Sequence, residues 1–142
     1  PVGAFLCKNS CDILEPGDHG STFGGNALAT AAANAAVRFM VEHDVPGNAA
    51  RVGAYFKAKL GEFKAAHDDA VVDVRGMGLL LALQFSDTIS SKVVAACNEE
   101  GLLLNPVRPD AIRFMPPLTI TEADVDEAIE KLERGFAKAL AS

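Results

Sequence analysis

Residues 16–26 read Pro-Gly-Asp-His-Gly-Ser-Thr-Phe-Gly-Gly-Asn and place two hydroxyls, Ser21 and Thr22, among four glycines directly ahead of an alanine-rich stretch. Glycines let backbone N–H groups approach an anion closely, and the start of a helix favours negative charge, so the segment could cradle a phosphate. The same composition also serves as plain punctuation, with the hydroxyls engaged only in local turns. No Lys-Ser/Thr pair follows the glycines, and their spacing is not that of a dinucleotide fingerprint.

Arg113 is the second candidate. It sits in the apolar run Ile112-Arg113-Phe114-Met115-Pro116-Pro117, where a guanidinium is costly to bury unless an anion such as a carboxylate pairs with it. The alternative is an edge-strand arginine with its head in water. Arg75, followed by Gly76-Met77-Gly78, reads as a structural residue at a bend. His19, His43 and His67 are far apart and lack metal-ligand spacing, so no metal site is expected. Asp68 and Asp69, with Asp73 nearby, read as a solvated acidic patch. Neither a GxSxG elbow nor a convincing Cys-His nucleophile is present.

The chain around these groups has 142 residues, the size of one compact domain, and carries 19 acidic against 13 basic side chains for a net charge of −6. That balance offers no basic surface for nucleic acid. No apolar stretch is long enough to span a bilayer, and no signal peptide opens the chain. Cys7, Cys11 and Cys97 have no CxxC spacing and make an odd number, which fits a reducing, cytoplasmic setting. The opening Pro1-Val2-Gly3-Ala4 lacks an initiator methionine, and the first twenty residues show no sustained periodicity, so further sequence is expected ahead of them.

Periodicity supplies the elements that must hold the candidates. Alanine-rich residues 26–44 predict a helix ended by Pro46 and suited to burial on much of its surface against a partner surface, so that in this chain alone exposed apolar surface and self-association are expected. Val52, Tyr55, Phe56, Leu60 and Phe63 recur every three or four residues and predict a second helix over 48–66. Strands are expected at 71–74 and 79–85 around a bend at 75–78, then a short helix through Val93 and Cys97 ending at Gly101. Residues 102–104 read as strand and 111–115 as another, with Pro106, Pro109 and Asp110 forming a turn between them. Thr121 with Asp124 resembles a capping box opening a helix whose stripe is Val125, Ile129, Leu132, Phe136 and Leu140. The fold class is α/β or α+β, a small antiparallel-rich sheet covered by helices.

Four segments, His19-Gly20-Ser21-Thr22-Phe23-Gly24-Gly25-Asn26, Val74-Arg75-Gly76-Met77-Gly78-Leu79, Gly101-Leu102-Leu103-Leu104-Asn105-Pro106 and Ile112-Arg113-Phe114-Met115-Pro116-Pro117-Leu118-Thr119-Ile120, together resemble the class III pyridoxal-phosphate-dependent aminotransferases. They come in the family's order and cover nearly the whole chain. The resemblance implies the C-terminal part of a fold-type I enzyme: residues 1–45 closing the large cofactor-binding domain with its interface helix, and 46–142 forming the small domain. It implies a cytoplasmic homodimer with active sites between subunits, moving an amino group from N2-acetylornithine to 2-oxoglutarate in arginine biosynthesis. Ornithine, succinylornithine or 4-aminobutyrate are alternative donors, and a non-catalytic fragment or dimerisation module is the alternative of another class.

By resemblance, Thr22, with Ser21 beside it, matches the threonine that reaches the phosphate of the neighbouring subunit's pyridoxal 5'-phosphate. Arg113 matches the arginine that grips the substrate's α-carboxylate. Ala27 stands where the family usually has proline, which should relax the helix start without abolishing the loop. The Schiff-base lysine of the family would fall upstream of Pro1, and Lys8 does not match it. The chain alone is therefore expected to be inactive and to need the N-terminal part of the same enzyme as partner.

Overall fold

The computed structural model describes residues 2–141; Pro1 and Ser142, the outer ends of the two expected domains, lie outside the described residues. The chain divides into two compact units, Pro1–His43 and Asp44–Ser142.

In the first unit, residues 2–26 hold one 3-10 turn, at Asn9–Cys11, before helix α1 (Ala27–Glu42). Asn26 caps α1: its backbone is extended and its side-chain oxygen accepts from the Ala29 N–H at 2.9 Å, satisfying one of the helix's orphan donors. No residue of α1 is buried within this chain, and Leu28 and Val41 are 83% and 75% exposed, the exposed apolar surface expected of a helix whose packing surface is not among these residues. Alanine-rich composition signals that a helix suits close packing; it does not supply the surface to pack on.

Pro46 does not terminate α1. It lies in the first turn of α2 (Val45–Ala66), where its missing N–H would have had no intrahelical partner. Asp44 caps that turn through its carboxylate, which accepts from the Gly47 N–H at 3.2 Å. Its φ of +45° is the one left-handed value among the described non-glycine residues.

The second unit continues with β1 (Val71–Met77), β2 (Leu80–Phe85), α3 (Ser90–Glu99), β3 (Asn105–Arg108), β4 (Ala111–Phe114) and α4 (Glu122–Leu140). The four strands form one antiparallel sheet in the order β1-β2-β4-β3. Period-two alternation gives it two unlike faces. Leu81, Leu83 and Phe85 of β2, with Ile112 and Phe114 of β4, are buried under the helices together with Phe56, Leu60, Phe63, Val93, Leu132 and Phe136. Aromatic contacts knit this core: Phe56 meets Phe114 edge-on at 5.1 Å, and Phe136 lies against both Phe63 and Phe85.

Two expectations about the strands need correction. Residues 75–77 are not a bend, since β1 runs through Met77 and the reversal is confined to Gly78 and Leu79. Glycine makes that possible: Gly78 has φ +55°, and a Cβ on Gly76 would come within 2.1 Å of the Leu80 carbonyl oxygen. Residues 102–104 precede the strand, because the Leu102 N–H is taken by the Cys97 carbonyl at 2.8 Å in closing α3, so pairing begins at Asn105 and Pro106 lies in β3 opposite Ile112 instead of in the turn, which is confined to residues 109–110. Gly101, with φ +78°, makes the expected left-handed exit from α3. The Thr121–Asp124 capping box is present at the start of α4.

Both outer strands are modified. β3 contains Pro106 and a register shift between Pro106 and Arg108, and the Gly76 carbonyl on β1 accepts from Lys57 Nζ at 3.2 Å.

Candidate functional site

The candidate residues fall on different units. Ser21 and Thr22 belong to the first, and Arg113 to the second.

Thr22 opens the turn over residues 22–25 that leads into α1. Gly25 takes φ +70°, and a Cβ on Gly24 would sit 2.8 Å from Ser21 Oγ, so the two glycines let the chain fold back on the serine. Both hydroxyl-bearing residues are exposed, and among the described residues neither hydroxyl makes a hydrogen bond. Ser21, Gly24, Gly25 and Asn26 line a shallow pocket within this unit, whereas Thr22 does not line it. Two free hydroxyl donors ahead of a capped helix start suit a phosphate.

Arg113 stands on the sheet face opposite the helices. It pairs with Ala82 on one side and Asn105 on the other, and Ala82 in turn pairs with Arg75, so the two arginines occupy one cross-strand row with a small residue between them. Arg113, Arg75, Met77, Leu80 and Ala82 line a depression on this face. The Arg113 Nε is fully buried and has no hydrogen-bond partner. A buried, unpaired guanidinium N–H costs on the order of 1–3 kcal/mol or more, which an incoming anion would recover.

Arg75 is in a different state. Its Nη1 donates to Asp73 Oδ2 at 3.0 Å and to Gln84 Oε1 at 2.5 Å, and Gln84 Nε2 donates to Asp110 Oδ2 at 3.0 Å. Asp73 is thus part of a four-residue polar chain rather than of a solvated patch with Asp68 and Asp69. Asp110 and Gln84 were not among the candidates that the sequence offered. The signal was available in the alternation of β1 and β2, which puts Asp73, Arg75 and Gln84 on the same side as Ala82 and away from Leu81, Leu83 and Phe85.

Three histidines play no common part. Among the described residues no cluster of His, Cys, Asp and Glu could hold a metal ion. His67 bonds to Glu133 at 2.8 Å between Phe63 and Phe136, and His43 stacks on Phe39. No described helix is long and apolar enough to cross a membrane.

Comparison with known proteins gives the family. Residues 1–136 match the family described as Aminotransferase class-III, and the chain belongs to that family. It is similar to an acetylornithine aminotransferase of Synechocystis sp., with 40% identity over 140 residues that cover 96% of this chain and 33% of the relative. It is 38% identical over 138 residues to an ornithine aminotransferase of Staphylococcus epidermidis, covering 96% of this chain and 34% of that protein. Among solved structures, the acetylornithine aminotransferase of Elizabethkingia anophelis aligns with a TM-score of 0.80 and 35% identity over 89% of this chain and 32% of its own. The fold is accordingly that of part of a fold-type I transferase, and the chain spans about a third of the length of the curated relatives it matches.

Proposed function

We propose that this chain is the C-terminal part of a pyridoxal-phosphate-dependent aminotransferase, and that it contributes ligand-holding groups rather than the complete reaction centre. In this reading residues 1–45 close the large cofactor-binding domain and 46–142 form the small domain. The observation that carries it is the buried, unpartnered Nε of Arg113 on the open face of the sheet. The family membership says which anion to expect there.

Pyridoxal phosphate, when bound, supplies the carbonyl and the electron sink for amino-group transfer. Ser21 and Thr22 fit its phosphate, being exposed hydroxyls without partners on a glycine-bearing turn. By the family resemblance, the Thr22 hydroxyl would donate to that phosphate across a homodimer interface. Arg113 fixes the α-carboxylate of the amino donor and then of the keto acid, which orients the substrate and excludes water from the guanidinium.

Amino-group transfer needs an amine that carries the cofactor and moves the proton, and no lysine here, Lys8 included, matches the one the family uses. The chain alone is therefore inactive, and its partner is the rest of the same enzyme. The donor we assign is N2-acetylornithine, with 2-oxoglutarate as acceptor, in arginine biosynthesis in the cytoplasm. The 40% identity to the Synechocystis acetylornithine aminotransferase supports this donor, with ornithine, succinylornithine and 4-aminobutyrate as the alternatives to be assayed.

The test is a chimera in which this chain replaces the matching third of the Synechocystis relative, assayed with all four donors. N-acetylornithine should give the highest kcat/KM, and Arg113→Ala should raise KM for carboxylate-bearing substrates roughly a hundredfold. In parallel, the chain alone is incubated with pyridoxal phosphate and reduced with borohydride. Stoichiometric labelling of one lysine would overturn the reading.

A further inference from the structure

Resting on the reading that Arg113 seats a carboxylate, we propose that Gln84 is a positioning residue that holds the β4 register on which Arg113 depends. β4 is four residues long and lies between β2 and β3. With side chains alternating between faces, a slip of one residue would carry Arg113 from the open face into the helix-covered core.

The β3 side offers little to prevent that slip. Pro106, paired with Ile112, has no N–H to give, and the register already shifts between Pro106 and Arg108. The β2 side must therefore fix β4, and it does so where the strand begins. Gln84 pairs with Ala111, its Nε2 holds the Asp110 carboxylate at 3.0 Å, and the Phe85 N–H donates to the Asp110 carbonyl at 2.7 Å. Gln84 Oε1 is itself fixed by Arg75 Nη1, which Asp73 also binds. One amide thus ties β1, β2 and the β3–β4 turn together.

The same chain disposes of the second guanidinium. Arg75 shares the cross-strand row of Arg113, but its charge is matched by Asp73 and, through Gln84, by Asp110. Among the described residues Arg113 is the guanidinium of this row that has no partner, and it is the one left for a carboxylate.

The experiment uses the chimera described above with Gln84→Ala, Asp110→Ala, Asp110→Asn and Arg113→Ala, and compares an α-amino-acid donor with its decarboxylated amine. Gln84→Ala and Asp110→Ala should each lower the preference for the carboxylate-bearing donor roughly tenfold, chiefly through KM, and Asp110→Asn, which can still accept from Gln84, should restore most of it. The double alanine variant should be no worse than either single one. Amide hydrogen exchange at residues 111–114 should accelerate in the same variants.

If Arg113→Ala lowers the preference and the Gln84 and Asp110 variants leave it unchanged, the positioning role is wrong and the carboxylate seat stands. If Arg113→Ala itself leaves the preference unchanged, the underlying reading fails. Should the Gln84 variants lose yield without soluble protein, Asp110→Asn against Asp110→Ala decides alone, and equal preference in those two would overturn the proposal.

Discussion

The two units of this chain spend apolar side chains in opposite ways. In Asp44–Ser142, Val52, Leu60, Leu83, Ile112, Val125, Leu132 and Phe136 are completely withdrawn from water. In Pro1–His43, Leu6, Phe23, Leu28 and Val41 stand largely in solvent, and α1 buries nothing. The second unit contains the groups that its own fold requires, with helices covering one sheet face and capping residues closing their ends. The first has good local chemistry, an Asn26 cap and a glycine turn, but no core. Exposed apolar area of that extent marks a surface meant for a partner. A chain can therefore specify an element without specifying what stabilises it.

The largest effect should come from separating the units. Residues 44–142 expressed alone should melt cooperatively by far-UV circular dichroism, while 1–43 alone should show little helix, since short isolated helices are marginal in water. A cooperative melt of 1–43 would erase the contrast. Next, Phe136→Ala in the full chain should cost about 3–5 kcal/mol in urea unfolding, against about 0.5 kcal/mol or less for Leu28→Ala on α1. Phe136 touches Phe63 and Phe85, whereas Leu28 is 83% exposed.

A smaller loss, about 1–3 kcal/mol, is expected for Gly53→Ala, because the new Cβ would lie 2.3 Å from the carbonyl of Gly78 and push α2 off the β1–β2 turn. The smallest effect is on pH dependence. Burial, helped by Glu100, pushes the Cys97 thiol up to about 11 from 9.0. A group whose folded pKa is raised stabilises fully below its unfolded value, so stability should hold to about pH 9 and then fall as pH rises towards 11. The urea midpoint followed across that range, with Cys97→Ala as control, checks the sign. Exposed Cys7 and Cys11 should meanwhile react with iodoacetamide at pH 8 while Cys97 does not.

What could be read from sequence followed the range of the interaction involved. The α4 capping box and its stripe are local patterns: the box forms, Val125, Leu132 and Phe136 are buried and Ile129 partly so, while Leu140 at the end of the helix is left 53% exposed. The α2 stripe and the turn at residues 109–110 between β3 and β4 form as well. Arg75 was misplaced because Gly76-Met77-Gly78 has the composition of a bend, although only Gly78 and Leu79 turn. Whether a glycine reverses a chain or merely lets two backbones approach depends on the neighbouring strand.

Pro46 misled for a related reason: the same residue stops one helix and suits the first turn of the next. Arg113 was legible as a costly charge in an apolar strand. The Asp73–Arg75–Gln84–Asp110 chain was not, since its members are brought together by the β1–β2–β4 pairing across up to 37 positions, Asp73 to Asp110.

The treatment of the sheet's borders decides what form self-association can take. β3 ends the sheet with a proline and a register shift, and on β1 the Gly76 carbonyl is already engaged by Lys57. Neither border presents an unbroken ladder of free donors and acceptors on which a further strand could grow. Copies that adhere should do so through the exposed apolar sides of α1, a contact that would saturate once those sides are covered. Concentrating the chain should thus yield small, reversible clusters that disperse on dilution and carry no cross-β signature, in place of fibrils.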